Sequence, residues 1–265
     1  MVKKLSVVVP TYNETDNIRP LVTRLFAATK KAGIEAEVLI MDDESKGTPE
    51  TERIVAMLSA EGYNVRIHVR RRSEGRGLSS AVLLGFEKAK YETMLCMDAD
   101  LQHEPESVPA VAAPVLNKKA EFSVGSRNIR GGGLGFDWSM TRRLISSTAT
   151  MLARPLTPST DPMSGFFCTT KTVLNRAKDR CNPIGFKIGL EIMARCRCDP
   201  VADVAITFRE RVAGESKLTM KQNIQYVEQL LYLYWDRFSW LLVLLALVAM
   251  LILLAITQVV LNVVF

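Results

Sequence analysis

Over its first 210 residues the chain alternates short β-branched runs with segments whose apolar residues recur at helical spacing, the pattern of an α/β sheet. Strands are expected at Leu5–Val9, Glu37–Met41, Val65–Val69, Thr93–Met97, Phe122–Gly125 and Val204–Phe208. The first helix has Ile18, Leu21, Val22, Leu25 and Phe26 on one face, with Gly33 after its end as a cap. Further helices are expected near Pro49–Ala60, Leu78–Ala89, Trp138–Leu152 and Ile188–Arg197.

The pattern changes after residue 218. Thr219–Asp236 puts Met220, Ile224, Val227, Leu231 and Tyr234 at 4-3-4-3 spacing, an amphipathic helix suited either to packing on the domain or to lying on a bilayer surface. From Trp240 to Phe265, 26 residues carry no charge, and the first 17 are apolar throughout. A helix of that length reaches about 39 Å, enough for a hydrocarbon core of about 30 Å. One transmembrane helix is therefore expected, with Lys221 and Arg237 before it keeping the N-terminal body cytoplasmic. Met1-Val2-Lys3-Lys4 lacks the apolar stretch of a signal peptide. The expected organisation is a catalytic-sized domain over 1–218, a juxtamembrane helix over 219–237 and an anchor over 238–265.

Composition narrows the class. With 265 residues, 48% hydrophobic and 23% charged, the chain is neither a disordered tail nor a disulfide mini-domain. Its five Cys are odd in number, and Cys196 and Cys198 have no His beside them, so neither a disulfide framework nor a zinc site is indicated. The net charge of +6 is concentrated in the middle, where residues 115–180 carry 11 Lys and Arg against 4 Asp and Glu. That calls for an anionic partner. Aromatic residues are only 7% of the chain, too few to interleave with the charge as nucleic-acid binding requires, so an anionic lipid is the better fit.

In open α/β sheets the ligand lies beyond the carboxyl ends of the strands, where this chain places its most distinctive residues. The first strand runs into Pro10-Thr11-Tyr12-Asn13-Glu14, the second into Asp42-Asp43, the fourth into Asp98-Ala99-Asp100 and the fifth into Ser126-Arg127. By the period of two along a strand, Asp98, Asp100 and Gln102 make a row of oxygen donors suited to Mg2+ or Mn2+, which would hold a diphosphate. A lone D-x-D also occurs in ordinary surface loops, and Asp42-Asp43 equally suits the solvated start of a turn. Arg70–Leu78 is a basic glycine loop opening a helix, either a phosphate cradle or a solvated loop, and it does not fit the P-loop pattern. Arg127, Arg130, Arg142 and Arg143 flank the glycine run 131–135, which reads as a lid over an anionic ligand. His68 and His103 read as structural or peripheral.

V-V-P-T-Y-N-E at 8–14, D-D-x-S at 42–45, R-G-L-S-S-A at 76–81, D-A-D-L-Q at 98–102, S-R at 126–127, R-R-L-I-S at 142–146, S-G-F at 164–166 and R-V-A-G-E-S-K-L at 211–218 together resemble one family. In kind and order these blocks are similar to those of the dolichol-phosphate mannosyltransferases, members of glycosyltransferase family 2 with the GT-A fold. The resemblance implies a Rossmann-like, mostly parallel sheet with flanking helices, and inverting transfer of mannose from GDP-mannose to dolichyl phosphate. It implies a nucleotide-sugar site of Pro10, Tyr12, Glu14, Asp42, Asp43, Asp98, Ala99, Asp100 and Gln102, with Asp98, Asp100 and Gln102 at the metal. It implies that Arg127, Arg142, Ser146, Arg211 and Lys217 grip the acceptor phosphate, with Arg142 interchangeable with Arg143, and that Asp100, Arg127 and Arg211 are the catalytic residues. The single tail helix resembles self-sufficient members that need no partner subunit, placed in the endoplasmic reticulum of a eukaryote or the plasma membrane of a prokaryote. The product would serve as a donor for glycosylation and GPI-anchor assembly. A polyprenyl-phosphate glucosyltransferase using UDP-glucose would carry nearly the same motifs. A nucleotide-sugar-binding protein without turnover is the reading from another class.

Overall fold

The computed structural model describes residues 2–135, 140–210 and 220–264, apart from the side chains at 72, 134, 141, 142, 220, 242 and 255–264. Its elements follow the expected alternation: β1 (Lys3–Thr11), α1 (Thr15–Lys31), β2 (Ile34–Asp42), α2 (Thr48–Ala60), β3 (Val65–Val69), α3 (Leu78–Lys88) and β4 (Thr93–Cys96). The second half is less regular: α4 (Val108–Leu116), β5 (Phe122–Ser126), β6 (Gly133–Leu134), α5 (Met140–Ala153), β7 (Phe167–Thr170), α6 (Lys171–Leu174), α7 (Ile188–Arg195), β8 (Val201–Ala205), β9 (Thr207–Phe208) and α8 (Met220–Val264).

The main sheet has the order β3-β2-β1-β4-β7-β5-β8. All its pairs are parallel except that β7 runs antiparallel to both neighbours, β4 and β5. The central strands are apolar on both faces because helices cover both. Leu5, Val7 and Val9 of β1 enter one core with Ile18, Leu21 and Leu25 of α1 and Val108 and Val111 of α4. Val8 enters the other with Val82 and Phe86 of α3 and Ile192 of α7. Thus the carboxyl ends of β1, β2 and β4 open onto one rim, with rigid packing behind each loop.

Four elements, α4, β6, β7 and α6, escape the sequence pattern, and the strand expected over Val204–Phe208 is divided between β8 and β9. Helix α4 carries Pro109 in its first turn, where proline is tolerated, and Pro114 inside it, where the missing N–H and the ring argue against a helix. Strand β7 lies between β4 and β5, its short run Phe167-Cys168-Thr169-Thr170 buried through its first three residues. The glycine run also differs from the expected lid. Up to Gly135 it is pinned, with Gly133 N–H donating to Ile206 O at 3.0 Å and Gly135 N–H to Phe208 O at 2.8 Å, as β6 pairs with β9.

Helix α8 packs on the domain through a face that shares only Tyr234, among the side chains described, with the stripe the spacing picked out. Leu230 and Leu233 are buried with Ala153, Leu156 and Leu190, while Tyr226 donates to the Ala149 carbonyl (2.6 Å) and Tyr234 to that of Leu152 (2.8 Å). Asp236 pairs with Arg180 (3.1 Å) and Arg195 (3.4 Å). From the expected stripe, Ile224, Val227 and Leu231 point outward, at 65, 53 and 67% exposure. Beyond it, no single helix among the described residues is long and apolar enough to cross a membrane. Lys221–Leu241 and Val243–Leu254, meeting at a 51° bend, pass that test together by length and composition.

The packing of α3 on β1 yields a test. A Cβ at Gly85 would press on Val8 Cγ1 and lie 3.0 Å from Met41 Cγ. Gly85→Ala should gain about 1 kcal/mol of helix propensity and lose more to overpacking, for a net loss of about 1–2 kcal/mol. A thermal melt should show a midpoint about 2–8 °C lower. A midpoint at or above wild type would mean that Val8 and Met41 yield without cost.

Candidate active site

At the ends of β1 and β2, the residues expected at a nucleotide divide into two kinds. Tyr12 is exposed, Pro10 is half-buried, and Glu14, at the start of α1, accepts from Asn17 Nδ2 at 2.9 Å. Asp42 is buried, with one carboxylate oxygen held by Thr48 Oγ1 (2.5 Å) and the other by Thr11 Oγ1 (2.9 Å). It ties the ends of β1 and β2 to the start of α2.

Asp43 is shaped by Arg70, whose guanidinium is 1% exposed. Arg70 donates to the carbonyls of Gly77 (3.1 Å) and Gly75 (2.9 Å) and to Ser80 Oγ (2.8 Å). Its Nη1 also lies 2.8 Å from Asp43 Oδ1, a charge pairing in which the N–H is aimed at Gly77, while Asp43 Oδ2 accepts the Gly77 N–H at 2.8 Å. Burial pushes the Asp43 carboxyl above its ordinary range, against the pull of the Gly77 N–H and the Arg70 charge. The basic glycine loop is thus folded inward around its first arginine, and Gly77, at φ +126°, makes the turn that only glycine takes easily.

The acidic row follows β4 after a gap. The strand ends at Cys96, and the loop then turns with Leu101 at φ +60°, so the period of two does not govern the side chains of 98–102. The Asp98 side chain is 33% exposed, whereas Asp100 is buried and accepts the Gln102 N–H at 3.2 Å. Ala99 is buried beneath them. Gln102 bonds the chain two ways: its carbonyl accepts the Arg209 N–H (2.9 Å), and its Nε2 donates to the Arg209 carbonyl (3.0 Å). His103 sits between the rings of Phe166 and Phe208 at 5.1 and 5.2 Å, with Nδ1 3.6 Å from Asp98 Oδ2. Burial lowers its pKa to about 4, so it is neutral near pH 7.

Arg127, at the end of β5, meets a carboxylate that the sequence motifs did not single out. Asp161 is wholly buried and accepts from Arg127 Nε (2.7 Å), Nη2 (2.8 Å) and backbone N–H (3.0 Å). Burial would raise the Asp161 pKa, but the Arg127 hydrogen bonds and charge outweigh it and hold the carboxyl below its ordinary range. The Arg127 guanidinium carbon lies 5.2 Å from the centre of the Phe208 ring. Lys187, before α7, donates to the Met163 carbonyl at 2.9 Å; burial and the Arg127 charge lower its pKa, against Asp98 and Asp161. Of the other acceptor candidates, Ser146 is half-buried on α5. The Arg142 side chain, Arg211 and Lys217 lie outside the described residues.

Asp161 and Lys187 each carried a signal. Asp161 is one of only four acidic residues in the basic stretch 115–180. Lys187 is a cation at a helix start, where the helix dipole disfavours it.

The donor set at 98–102 fits a hard divalent cation. Among the described residues no group of three or more His, Cys, Asp and Glu could hold a metal ion by itself. Two carboxylates and an amide are instead the incomplete oxygen set that Mg2+ or Mn2+ completes with water and substrate phosphates. Gly165 leaves room for the Asp98 carboxylate: a Cβ there would lie 3.0 and 3.3 Å from its two oxygens.

Residues 6–180 match the family described as Glycosyl transferase family 2. The dolichol-phosphate mannosyltransferase of Saccharomyces cerevisiae is 47% identical over 241 residues, covering 88% of each chain. That of Mycosarcoma maydis is 45% identical over 255 residues, covering 94% of this chain and 85% of its own. Among solved structures, glucosyl-3-phosphoglycerate synthase from Mycobacterium tuberculosis, in complex with Mn2+, UDP and glucosyl-3-phosphoglycerate, is 17% identical with a TM-score of 0.57, covering 89% of this chain and 80% of its own. Another complex of that enzyme holds Mg2+ and UDP.

Arg70 can be tested without any ligand. Arg70→Met leaves Asp43 buried without its cation and strips the Gly75 carbonyl of its donor, while the Gly77 carbonyl keeps the Ala81 N–H and the Ser80 hydroxyl. Breaking a buried pair from one side costs about 3–5 kcal/mol, so the full chain in detergent should melt about 10 °C lower. A drop under about 2 °C would show that the loop is held by other contacts.

Proposed function

The chain belongs to glycosyl transferase family 2, among the dolichol-phosphate mannosyltransferases, and from that premise we propose how its residues divide the transfer of mannose to dolichyl phosphate. It is a glycosyltransferase with the GT-A fold, a mostly parallel sheet flanked by helices. GDP-mannose is the donor in this reading; UDP-glucose, which similar motifs would admit, is less favoured by relatives named for mannose transfer. The observation that carries the division of roles is the contrast along the rim: carboxylates of 98–100 at one end, and the buried Arg127–Asp161 pair at the other.

In this reading Pro10, Tyr12, Glu14 and Asp43 face the nucleotide, and Asp42 keeps the ends of β1 and β2 in register beneath it. Asp98, Asp100 and Gln102 hold the metal and the sugar diphosphate, with Ala99 packed below. When bound, Mg2+ or Mn2+ supplies Lewis-acid neutralisation of the charge on the departing diphosphate. Arg127, Arg142, Ser146, Arg211 and Lys217 grip the acceptor phosphate. A phosphate monoester is already anionic near pH 7, so these residues orient the nucleophile and no general base is required. A phosphate oxygen attacks the anomeric carbon from the face opposite the nucleotide. The new C–O bond forms as the bond to the β-phosphate breaks, GDP leaves with that electron pair, and the configuration inverts.

Delivery of a lipid acceptor fits an apolar surface beside the site. Met140, Leu144 and Ile145 of α5 and Ile224, Val227 and Leu231 of α8 are exposed, and the apolar segment 243–254 lies past the bend in the same helix. We read this side as membrane-facing, with the domain on the cytoplasmic side and no partner subunit required. An endoplasmic reticulum setting follows for a eukaryotic source and the plasma membrane for a prokaryotic one.

Labelled mannose from GDP-mannose should appear on dolichyl phosphate in detergent, stop with a chelator and return with Mg2+ or Mn2+. Label entering only from UDP-glucose would overturn the donor assignment. Asp100→Ala should slow turnover roughly a thousandfold, a loss of ~4 kcal/mol of transition-state stabilisation. A folded variant keeping over a tenth of the activity at saturating metal would sink its metal role. Arg211→Ala should lose about ten- to a hundredfold in acceptor-dependent catalysis with little change in GDP-mannose affinity, and Arg211→Lys should recover only part. The reverse split, weak donor binding with unchanged acceptor dependence, would move Arg211 to the nucleotide.

A further inference from the structure

The acceptor reading of Arg127 raises the question of how one arginine keeps a fixed orientation at a rim that must admit a lipid phosphate. A guanidinium has two paired-donor edges, Nε with Nη2 and Nη1 with Nη2. Asp161 occupies the first, at 2.7 and 2.8 Å, and also accepts the Arg127 backbone N–H at 3.0 Å, so side chain and main chain are fixed to one carboxylate. The Phe208 ring lies beside the guanidinium, 5.2 Å from ring centre to Cζ.

Asp161 is itself held from several directions. Its N–H donates to Ser159 Oγ (3.2 Å), and Ser159 Oγ donates to Asp203 Oδ1 (2.7 Å). Asp203 Oδ2 accepts the Thr160 N–H (2.7 Å) and hydroxyl (2.6 Å), and Asn128 Nδ2 donates to the Thr160 carbonyl (2.8 Å). The Asp161 carbonyl accepts the Ser164 N–H at 3.1 Å, one residue before the glycine that backs Asp98. This is more bonding than a surface loop needs, and its result is a fixed carboxylate with Arg127 as its salt-bridge partner.

We propose that Asp161 is a positioning residue for the acceptor phosphate: it turns the Nη1/Nη2 edge of Arg127 toward the phosphate and acts only through Arg127. This rests on the reading of Arg127 as an acceptor ligand. With the Nε edge held by Asp161, a phosphate that makes a two-donor contact makes it with the other edge. A charge fixed in place before the lipid arrives adds no ordering cost at encounter.

The test is a double-mutant cycle on the full chain in detergent, using Arg127→Ala, Asp161→Asn and the double variant. It reads GDP-mannose affinity by calorimetry, rate against dolichyl-phosphate concentration, and melting temperature. Asp161→Asn should raise the KM for dolichyl phosphate about tenfold with GDP-mannose affinity within about twofold. The double variant should be no worse than Arg127→Ala in kcat/KM, because once Arg127 is gone Asp161 has nothing to position. It should also melt higher than Arg127→Ala, which leaves a buried carboxylate alone. An unchanged acceptor dependence in Asp161→Asn, or losses that multiply in the double variant, would overturn the proposal. Should Asp161→Asn fail to fold, the double variant against Arg127→Ala decides alone: equal acceptor kinetics support the role and slower kinetics refute it. If Arg127→Ala weakens donor binding instead, the acceptor reading of Arg127 fails, and non-additivity still reports whether Asp161 works through it.

Discussion

Charge is buried at the rim of this sheet with partners buried beside it, an opposite charge for Arg70 and Asp161 and two hydroxyls for Asp42, and the loops around the site are built on that constraint. Arg70, at 1% exposure, persists because Asp43 and three loop acceptors surround it; Asp161, at zero, because Arg127 offers it three N–H groups. Removing one member of such a pair costs more than the pair contributes, so each partner enforces the other's place. The loops can therefore be polar and still rigid. Asp43 closes the basic glycine loop beside the end of β2, and Asp161 fixes Arg127 in the basic middle.

The two ends are joined by one short stretch of chain. Residues 159–166 supply Asp161 to Arg127, the Met163 carbonyl to Lys187, and Gly165 as the space behind Asp98. The stretch leads directly into β7, the antiparallel strand that separates β4 from β5. Without that insertion the carboxyl ends of β4 and β5 would be adjacent. With it, the carboxylates of 98–100 and Arg127 stand one strand apart, bridged by a loop whose shape is set by Asp203.

Much of this was legible in the chain. The five strand runs up to residue 126 lie where β-branched residues cluster, the first helix ends at Gly33 with φ +65°, and the rim residues follow their strands in order. Strand β7 was not, because four residues reading Phe-Cys-Thr-Thr have neither the length nor the alternation that distinguishes a strand. Helix α4 was hidden by its two prolines. The outward turn of the Ile224–Leu231 stripe was invisible for a different reason: α8 is apolar on more than one side, and periodicity cannot say which side meets protein. Pairings such as Arg127 with Asp161, 34 residues apart, belong to tertiary structure and leave only a faint trace, an acid placed among bases.

The double hydrogen bond between Gln102 and Arg209 makes the loop after β4 and the strand leading into the last basic segment one mechanical part. With the His103–Phe208 ring contact added, residues 102–103 and 208–209 are stitched at three points. On the proposed roles, sugar preference and lipid grip are then not interchangeable modules. A loop transplanted alone from a relative that uses another nucleotide would arrive without its counterpart, and a working chimera must exchange both strands of the stitch together.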